Sequence, residues 1–316
     1  MKICHVDPGC GLSIPPKNWG AIEKIIWEFE VNQTALGHDS THKMAADIKL
    51  GEFDIIHCHV ANLANGLKER GIPYIYQLHD HHVLHYGKDS HVYKENLKAI
   101  EGSLISLMPA NWLVNYFNHP KCVYFSHGVN INDFYPLPFN TLPKSPKLLM
   151  LANNGLGGDN SFDRKGFEYG LGLAMMNDLE ITIAGPSNNK NFFNSHLWML
   201  NYPKLNLVFD TPNTELLSLY HKHDIFVHPT MLEAGHPNLT MLEAMAAGLP
   251  VIANWEMEVD LHGCWRAPRD VFEMDRGLKD ILGNWDFYRQ QCFETSSKLS
   301  WFNQTKELIK IYETFN

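Results

Sequence analysis

Short apolar runs alternate with segments of helical period from one end of the chain to the other. "KICHV" precedes "GAIEKIIWEFEVNQTALG", where Ile22, Ile25, Ile26 and Phe29 recur at helical spacing and Gly37 stands where a C-cap glycine belongs. "DIIHCH", "PYIYQL" and "KCVYF" read as further strands, with helices predicted near 61–70 and 92–106. The alternation breaks at the proline-rich "DFYPLPFNTLPKSPK", residues 133–147, which reads as a linker. It then restarts with "LLMLA", "LEITIAG", "LNLVF", "DIFVHP" and "LPVIA" as strands separated by helices. Such alternation predicts parallel sheets covered by helices on both faces. The expected organisation is α/β, with doubly wound Rossmann-like domains at 1–143 and 144–316. The last stretch reads as helical, and Trp285, Phe287, Tyr288, Trp301 and Phe302 give it a large aromatic face that must pack on something, a return across the first domain being one option.

Composition narrows the class. The chain has 316 residues, 45% of them hydrophobic, and a net charge of -9, an acidic excess that both halves share. Neither half is basic, which argues against nucleic acid as the main partner. The six cysteines are scattered and form no CxxC pair, so they read as reduced thiols of a cytoplasmic protein. The N-terminus enters a strand at once and leaves no room for a signal peptide, and no apolar run reaches spanning length. The expectation is a protein with no transmembrane segment and at most peripheral membrane contact.

The stretch "EAGHPNLTMLEAMAAGLPVIA", residues 233–253, carries the most chemistry. In open α/β sheets, ligands sit beyond the carboxyl ends of strands, where a loop feeds the next helix. "DIFVHP" followed by a helix from about Leu239 is such a place. Asn238 is positioned to cap that helix, and the amides of Leu239, Thr240 and Met241 suit phosphate. Glu243 follows three and four residues after Thr240 and Leu239 and so shares their helix face. A carboxylate beside phosphate suits a ribose diol. Local physics equally admits a capped core helix with an incidental surface glutamate.

Together with other segments, this stretch resembles the retaining glycosyltransferases of the GT-B fold, the nucleotide-sugar-dependent group called family 4. "WGAIEKIIWEFEVNQTALGHD" resembles the N-terminal Gly-Gly-x-Glu loop and helix, and "FDIIHCH" the next strand. "HGVNINDFYP" is similar to the segment before the linker, and "FDRKG" to the basic Lys-Gly motif opening the second domain. "LEITIAGPS" and "ELLSLYHKHDIFVHPT" also find counterparts. The resemblance implies two domains facing a central cleft. It also implies sugar transfer from a nucleotide-diphosphate sugar to a glycan or glycoconjugate acceptor, with retention of configuration. No cofactor and no metal are implied; there is no Asp-x-Asp of the sort that metal-dependent transferases use. Gly20 would let a loop approach the diphosphate, which Lys165 would neutralise with Arg164 as helper. Glu243 would hold the ribose, and the amides after Asn238, those of Leu239 and Thr240 among them, the phosphate oxygens. His79, in "YQLHD", and Glu233 would lie near the transferred sugar.

The chain departs from the pattern in three places. The family spaces its two glutamates with seven residues between them; Glu233 and Glu243 have nine, and Gly235 holds the expected position. Where the family has an arginine before its lysine, this chain reads "LANNGLGGDN". The region between the first helix and "FDIIHCH" is also short. Three other readings compete. The histidine-rich "LHDHHVLHYGKDSH" invites a metal site, but ligands need fixed elements, and the run reads as an exposed loop with His79 alone near substrate. A nicotinamide dehydrogenase would need GxGxxG after a strand, which "NNGLGGDN" does not supply. A non-catalytic GT-B-like partner subunit that binds nucleotide or glycan fits the altered glutamate spacing.

Overall fold

The computed structural model describes residues 1–17, 20–137, 141–154, 162–231, 233–254 and 261–316. Trp19 of the first-loop motif, part of the proline-rich stretch and the glycines of "NNGLGGDN" lie outside the described residues. The chain forms two compact units, one of Met1–Gly128, residues 233–238 and Leu299–Asn316, the other of Val129–Met231 and Leu239–Lys298. A single boundary at 143/144 therefore does not describe the division. The second unit starts earlier, and two later segments return to the first.

The first unit holds a six-stranded parallel sheet in the order β2-β1-β3-β4-β5-β6. Its strands are β1 (Lys2–Asp7), β2 (Asp39–Met44), β3 (Ile55–Cys58), β4 (Ile75–Gln77), β5 (Ser106–Met108) and β6 (Cys122–Tyr124). The apolar stripe of "AIEKIIWEFEVNQTA" makes the helix Ala21–Ala35, with Ile25, Ile26 and Phe29 buried. That helix ends on Gly37 at φ 85°. The Gly37 amide bonds to Thr34 O and the His38 amide to Gln33 O, both at 3.0 Å, the Schellman closure for which glycine is suited. The helix Trp301–Glu313 belongs to this unit, and Trp301 meets Phe29 edge-on with ring centroids 5.2 Å apart.

The second unit repeats the plan in the order β12-β11-β10-β7-β8-β9. Its strands are β7 (Leu148–Leu151), β8 (Ile181–Gly185), β9 (Leu205–Phe209), β10 (Ile225–His228), β11 (Val251–Asn254) and β12 (Cys264–Ala267). Strands β7, β10 and β11 are wholly buried and apolar but for His228 and Asn254 at the ends of the last two, as a parallel sheet covered on both faces requires. In each sheet the winding reverses once, between β1 and β3 in the first unit and between β7 and β10 in the second. At such switch points the loops part and leave a crevice at the carboxyl ends of the strands. No helix among the described residues is long and apolar enough to cross a membrane.

Candidate functional site

Lys165 sits at the switch point of the second sheet, in the loop that leaves β7. The loop is built around Asp163, whose carboxylate accepts the amides of Phe167 and Glu168 at 2.8 Å and so caps the helix Phe167–Met176. Asn154 Oδ1 accepts the Lys165 amide at 3.0 Å, and the Met231 amide donates to Arg164 O at 3.0 Å. These bonds join the loop after β7 to the loop after β10. Gly166 has φ 73°, and a Cβ there would collide with the Pro229 carbonyl, so the Lys-Gly order is a steric requirement here. Arg164 and Lys165 are both buried. Arg164 Nη2 donates to Asn153 O at 2.9 Å, which gives its guanidinium a structural bond within the loop.

The helix that follows Asn238 runs Leu239–Ala246, and Glu243 on it is buried. The incidental-surface reading of Glu243 is thus excluded. Tyr220 Oη lies 3.0 Å from Glu243 Oε2 and 3.2 Å from Thr240 O. Burial pushes the Tyr220 phenol well above its ordinary value, so it keeps its proton and donates to the carboxylate. The small residues Ala244, Ala246 and Ala247 are buried.

At the carboxyl edge of the first sheet, the structure gathers histidines. His5 on β1 is register partner of His57 on β3; His59 follows β3, His79 follows β4 and His127 follows β6. His5, His57, His59 and His127 are buried, and His79 is partly buried. His5 Nδ1 lies 3.0 Å from His59 Nε2, and His59 Nδ1 lies 3.0 Å from His79 Nε2. The His127 ring stacks on His79 at 6.0 Å. His59 and His79 line a cavity of about 280 Å³, whose wall also includes Tyr76, Asp80, His82 and Glu95. Gly20, at the N-terminus of the helix Ala21–Ala35, has no room for a side chain, because a Cβ would stand 2.8 Å from Pro16 Cβ.

Residues 233–238 are pinned to the same edge. Trp112 Nε1 donates to Glu233 O at 3.1 Å, the His236 amide to Pro109 O at 3.0 Å, and Tyr124 Oη to His236 O at 2.9 Å. A Cβ on Gly235 would stand 2.7 Å from His127 Nδ1. His127 therefore fills the space that a side chain at 235 would need. Glu233 lies close enough to His127 to favour its protonation electrostatically. His79, His127 and Glu233 thus form one neighbourhood, while Lys165, Arg164, Thr240 and Glu243 belong to the other unit.

The histidine-rich run after β4 is exposed over much of its length, at Asp80, His85 and His91 among others, but it is not loop throughout. Residues His82–Tyr86 form a short helix, with His81 and Val83 buried, because Val83 has the first unit's core to join. Among the described residues, the cluster with metal-compatible spacing is instead His5, His57 and His59, with ligand atoms within 4.8 Å of one another.

These rings should make the first unit's fold sensitive to acid. Burial lowers His5 and His127 from the ordinary 6.5 to about 4. The unfolded chain then binds protons that the folded chain refuses, so the stability these rings contribute is full above about 6.5 and is lost as pH falls toward 4. Urea midpoints measured across that range should fall with pH; a flat profile would contradict the burial of neutral rings.

Two parallel six-stranded sheets, each with one switch point, make the GT-B fold of glycosyltransferases, and residues 168–257 match the family model described as Glycosyl transferases group 1. Solved structures agree across the chain. Sucrose-phosphate synthase from Thermosynechococcus elongatus is 14% identical, with 99% of this chain and 98% of that one covered at a TM-score of 0.75. AviGT4, a glycosyltransferase involved in avilamycin A biosynthesis, is 12% identical over 99% and 97% of the two chains, at 0.72. Anabaena HepE in complex with UDP is 12% identical over 99% and 100%, also at 0.72. No curated protein matches the sequence.

Proposed function

We propose that the protein is a retaining glycosyltransferase that moves a sugar from a nucleoside-diphosphate sugar to a glycan or glycoconjugate acceptor in the cytoplasm. The observation that carries this is the second unit's switch point, where a buried Lys165–Gly166 pair is built into the strand-end loop and a buried glutamate rides the helix that follows the neighbouring strand. Lys165, helped by Arg164, neutralises the diphosphate as it leaves, and the amides of Leu239 and Thr240 after Asn238 hold its oxygens. Glu243 grips the ribose. Gly20 allows the first unit's loop to approach the phosphates, and His79 and Glu233 address the transferred sugar. The bond from the anomeric carbon to phosphate breaks and the bond to the acceptor oxygen forms on the same face, the acceptor proton passing to a phosphate oxygen.

Fixed positive charge and a helix N-terminus supply the leaving-group stabilisation, so no metal is required. Activity should therefore survive a chelator; activity abolished by chelation and restored by manganese would overturn this. The two glutamates should separate in their effects. Glu243→Ala is expected to weaken binding of the bare nucleotide by about 1.5–3 kcal/mol, the worth of a hydrogen bond to a charged group. Glu233→Ala should leave that affinity intact and lower turnover, as loss of a contact made to the reacting sugar does. Calorimetry and initial rates check both. The non-catalytic partner reading draws support from Gly235, and release of nucleoside diphosphate from a nucleotide sugar by the purified protein would rule it out.

A further inference from the structure

We propose that a one-way chain of hydrogen bonds, Gln33 to His5 to His59 to His79, fixes His79 as the tautomer with a bare Nδ1, which then accepts a hydroxyl hydrogen of the transferred sugar. The use made of Nδ1 rests on the glycosyltransferase reading; the tautomer itself does not.

The chain can be followed atom by atom. Gln33 Oε1 lies 2.6 Å from Ser40 Oγ and 3.0 Å from His5 Nε2. An amide oxygen has no proton to give, so His5 Nε2 donates. Burial holds His5, His59 and His79 below their ordinary range, so each ring carries a single proton near neutrality. His5 Nδ1 is then bare and accepts from His59 Nε2, 3.0 Å away. His59 Nδ1 is bare in turn and accepts from His79 Nε2, also at 3.0 Å. The last ring is left with its lone pair on Nδ1, an atom that is buried and has no hydrogen-bond partner among the described residues. Buried polar atoms are rarely left so. Neighbouring rings hold each link in plane: Phe29 stacks on His5 at 5.7 Å, His57 on His59 at 4.3 Å and His127 on His79 at 6.0 Å. Tyr312 Oη, 2.6 Å from His57 Nδ1, fixes His57 as well.

A bare ring nitrogen can only accept. It suits a sugar hydroxyl and disfavours a phosphate oxygen, which has no proton to offer. His59, His5 and Gln33 are accordingly positioning residues that act through His79. A metal held by His5, His57 and His59 would consume the lone pairs on which the chain depends, so the two arrangements exclude each other.

Long-range ¹H–¹⁵N NMR of the full chain labelled in histidine reads the tautomers directly. In the wild type at neutral pH, His5, His59 and His79 should each show a protonated Nε2 and a bare Nδ1. His59→Phe should turn His79 into a mixture of tautomers, and His59→Asn, whose side-chain oxygen can accept in place of Nδ1, should restore the single form. A proton on His79 Nδ1 in the wild type would overturn the proposal, as would one equivalent of zinc per chain in the purified protein. Should the variants fail to fold, the wild-type shifts decide alone. UDP-, ADP- and GDP-glucose added to the same sample test the use: the one that binds should shift the His79 Nδ1 signal, and binding without such a shift would refute the hydroxyl contact. Failure of all three to bind would count against the glycosyltransferase reading, while the tautomer result would still stand or fall by itself.

Discussion

Trp301→Ala should lower the unfolding free energy by about 3–5 kcal/mol, the usual cost of deleting a buried large aromatic side chain. Trp301 is 2% exposed and belongs to the first unit although it lies far from that unit's strands in sequence. Its ring meets Phe29 edge-on, and Gly128 leaves it room, since a Cβ there would stand 2.8 Å from the indole. Phe29 in turn stacks on His5 at 5.7 Å. The alanine variant thus removes packing and loosens the support of the histidine cluster together. Phe302, 42% exposed on the same helix, is the control, and its alanine variant should change stability by well under the Trp301 value. Urea unfolding of the two variants beside the wild type gives the comparison; equal losses would contradict a packed Trp301 and a peripheral Phe302.

Lys165→Ala is expected to reduce turnover by roughly 10²–10³-fold, the scale for removing one preorganised group that stabilises charge in a transition state. Nucleoside diphosphate affinity should fall less, by about 1.5–3 kcal/mol, because part of the interaction is made only as the bond to phosphate breaks. The fold should tolerate the change. The bonds that shape the loop come from the Lys165 amide, Asp163 and Arg164, and the substitution leaves all of them in place. Arg164→Ala should behave differently, losing stability as well as function, since its guanidinium bonds to Asn153 O. Steady-state rates, nucleotide titrations and melting curves on both variants separate these outcomes. A Lys165→Ala enzyme with unchanged turnover would remove the lysine from the chemistry.

Much of the fold was legible because buried parallel strands are continuous apolar runs. "LLML", "ITIAG", "IFVH" and "VIAN" announce themselves, and β7, β8, β10 and β11 fall where those runs stand. Three strands were not. β2, "DSTHKM", lies at a sheet edge and is only partly buried, so it carries no apolar pattern. β12, "CWRA", is also an edge strand, and β5 has three residues at the end of what reads as one long helix. The return of residues 233–238 and 299–316 to the first unit is a tertiary fact that no local pattern encodes. At the candidate site, Lys165 and Glu243 were readable from motif and helix spacing. His5, Gln33, His127 and Tyr220 were not. Each lies in an ordinary strand, helix or loop and gains its role from a partner far away in sequence, Gln33 from His5 and Tyr220 from Glu243. One signal did exist for the histidines: His57, His59 and His79 fall near or just after strand ends, which parallel topology brings to one edge, and His5 stands in register with His57 on the neighbouring strand. Gly235 shows the limit of alignment by position, because the room a glutamate would need is occupied by His127.

The central claim is that the second unit's switch point holds the diphosphate of a sugar donor. Its most direct test is to incubate the purified protein with UDP-, ADP- and GDP-sugars and measure release of nucleoside diphosphate, with the Lys165→Ala variant alongside. The account predicts release from at least one donor, with the anomeric configuration of the transferred sugar retained, and loss of that release in the variant. No release and no nucleoside diphosphate binding by the wild-type protein, or release that Lys165→Ala leaves unchanged, would contradict it.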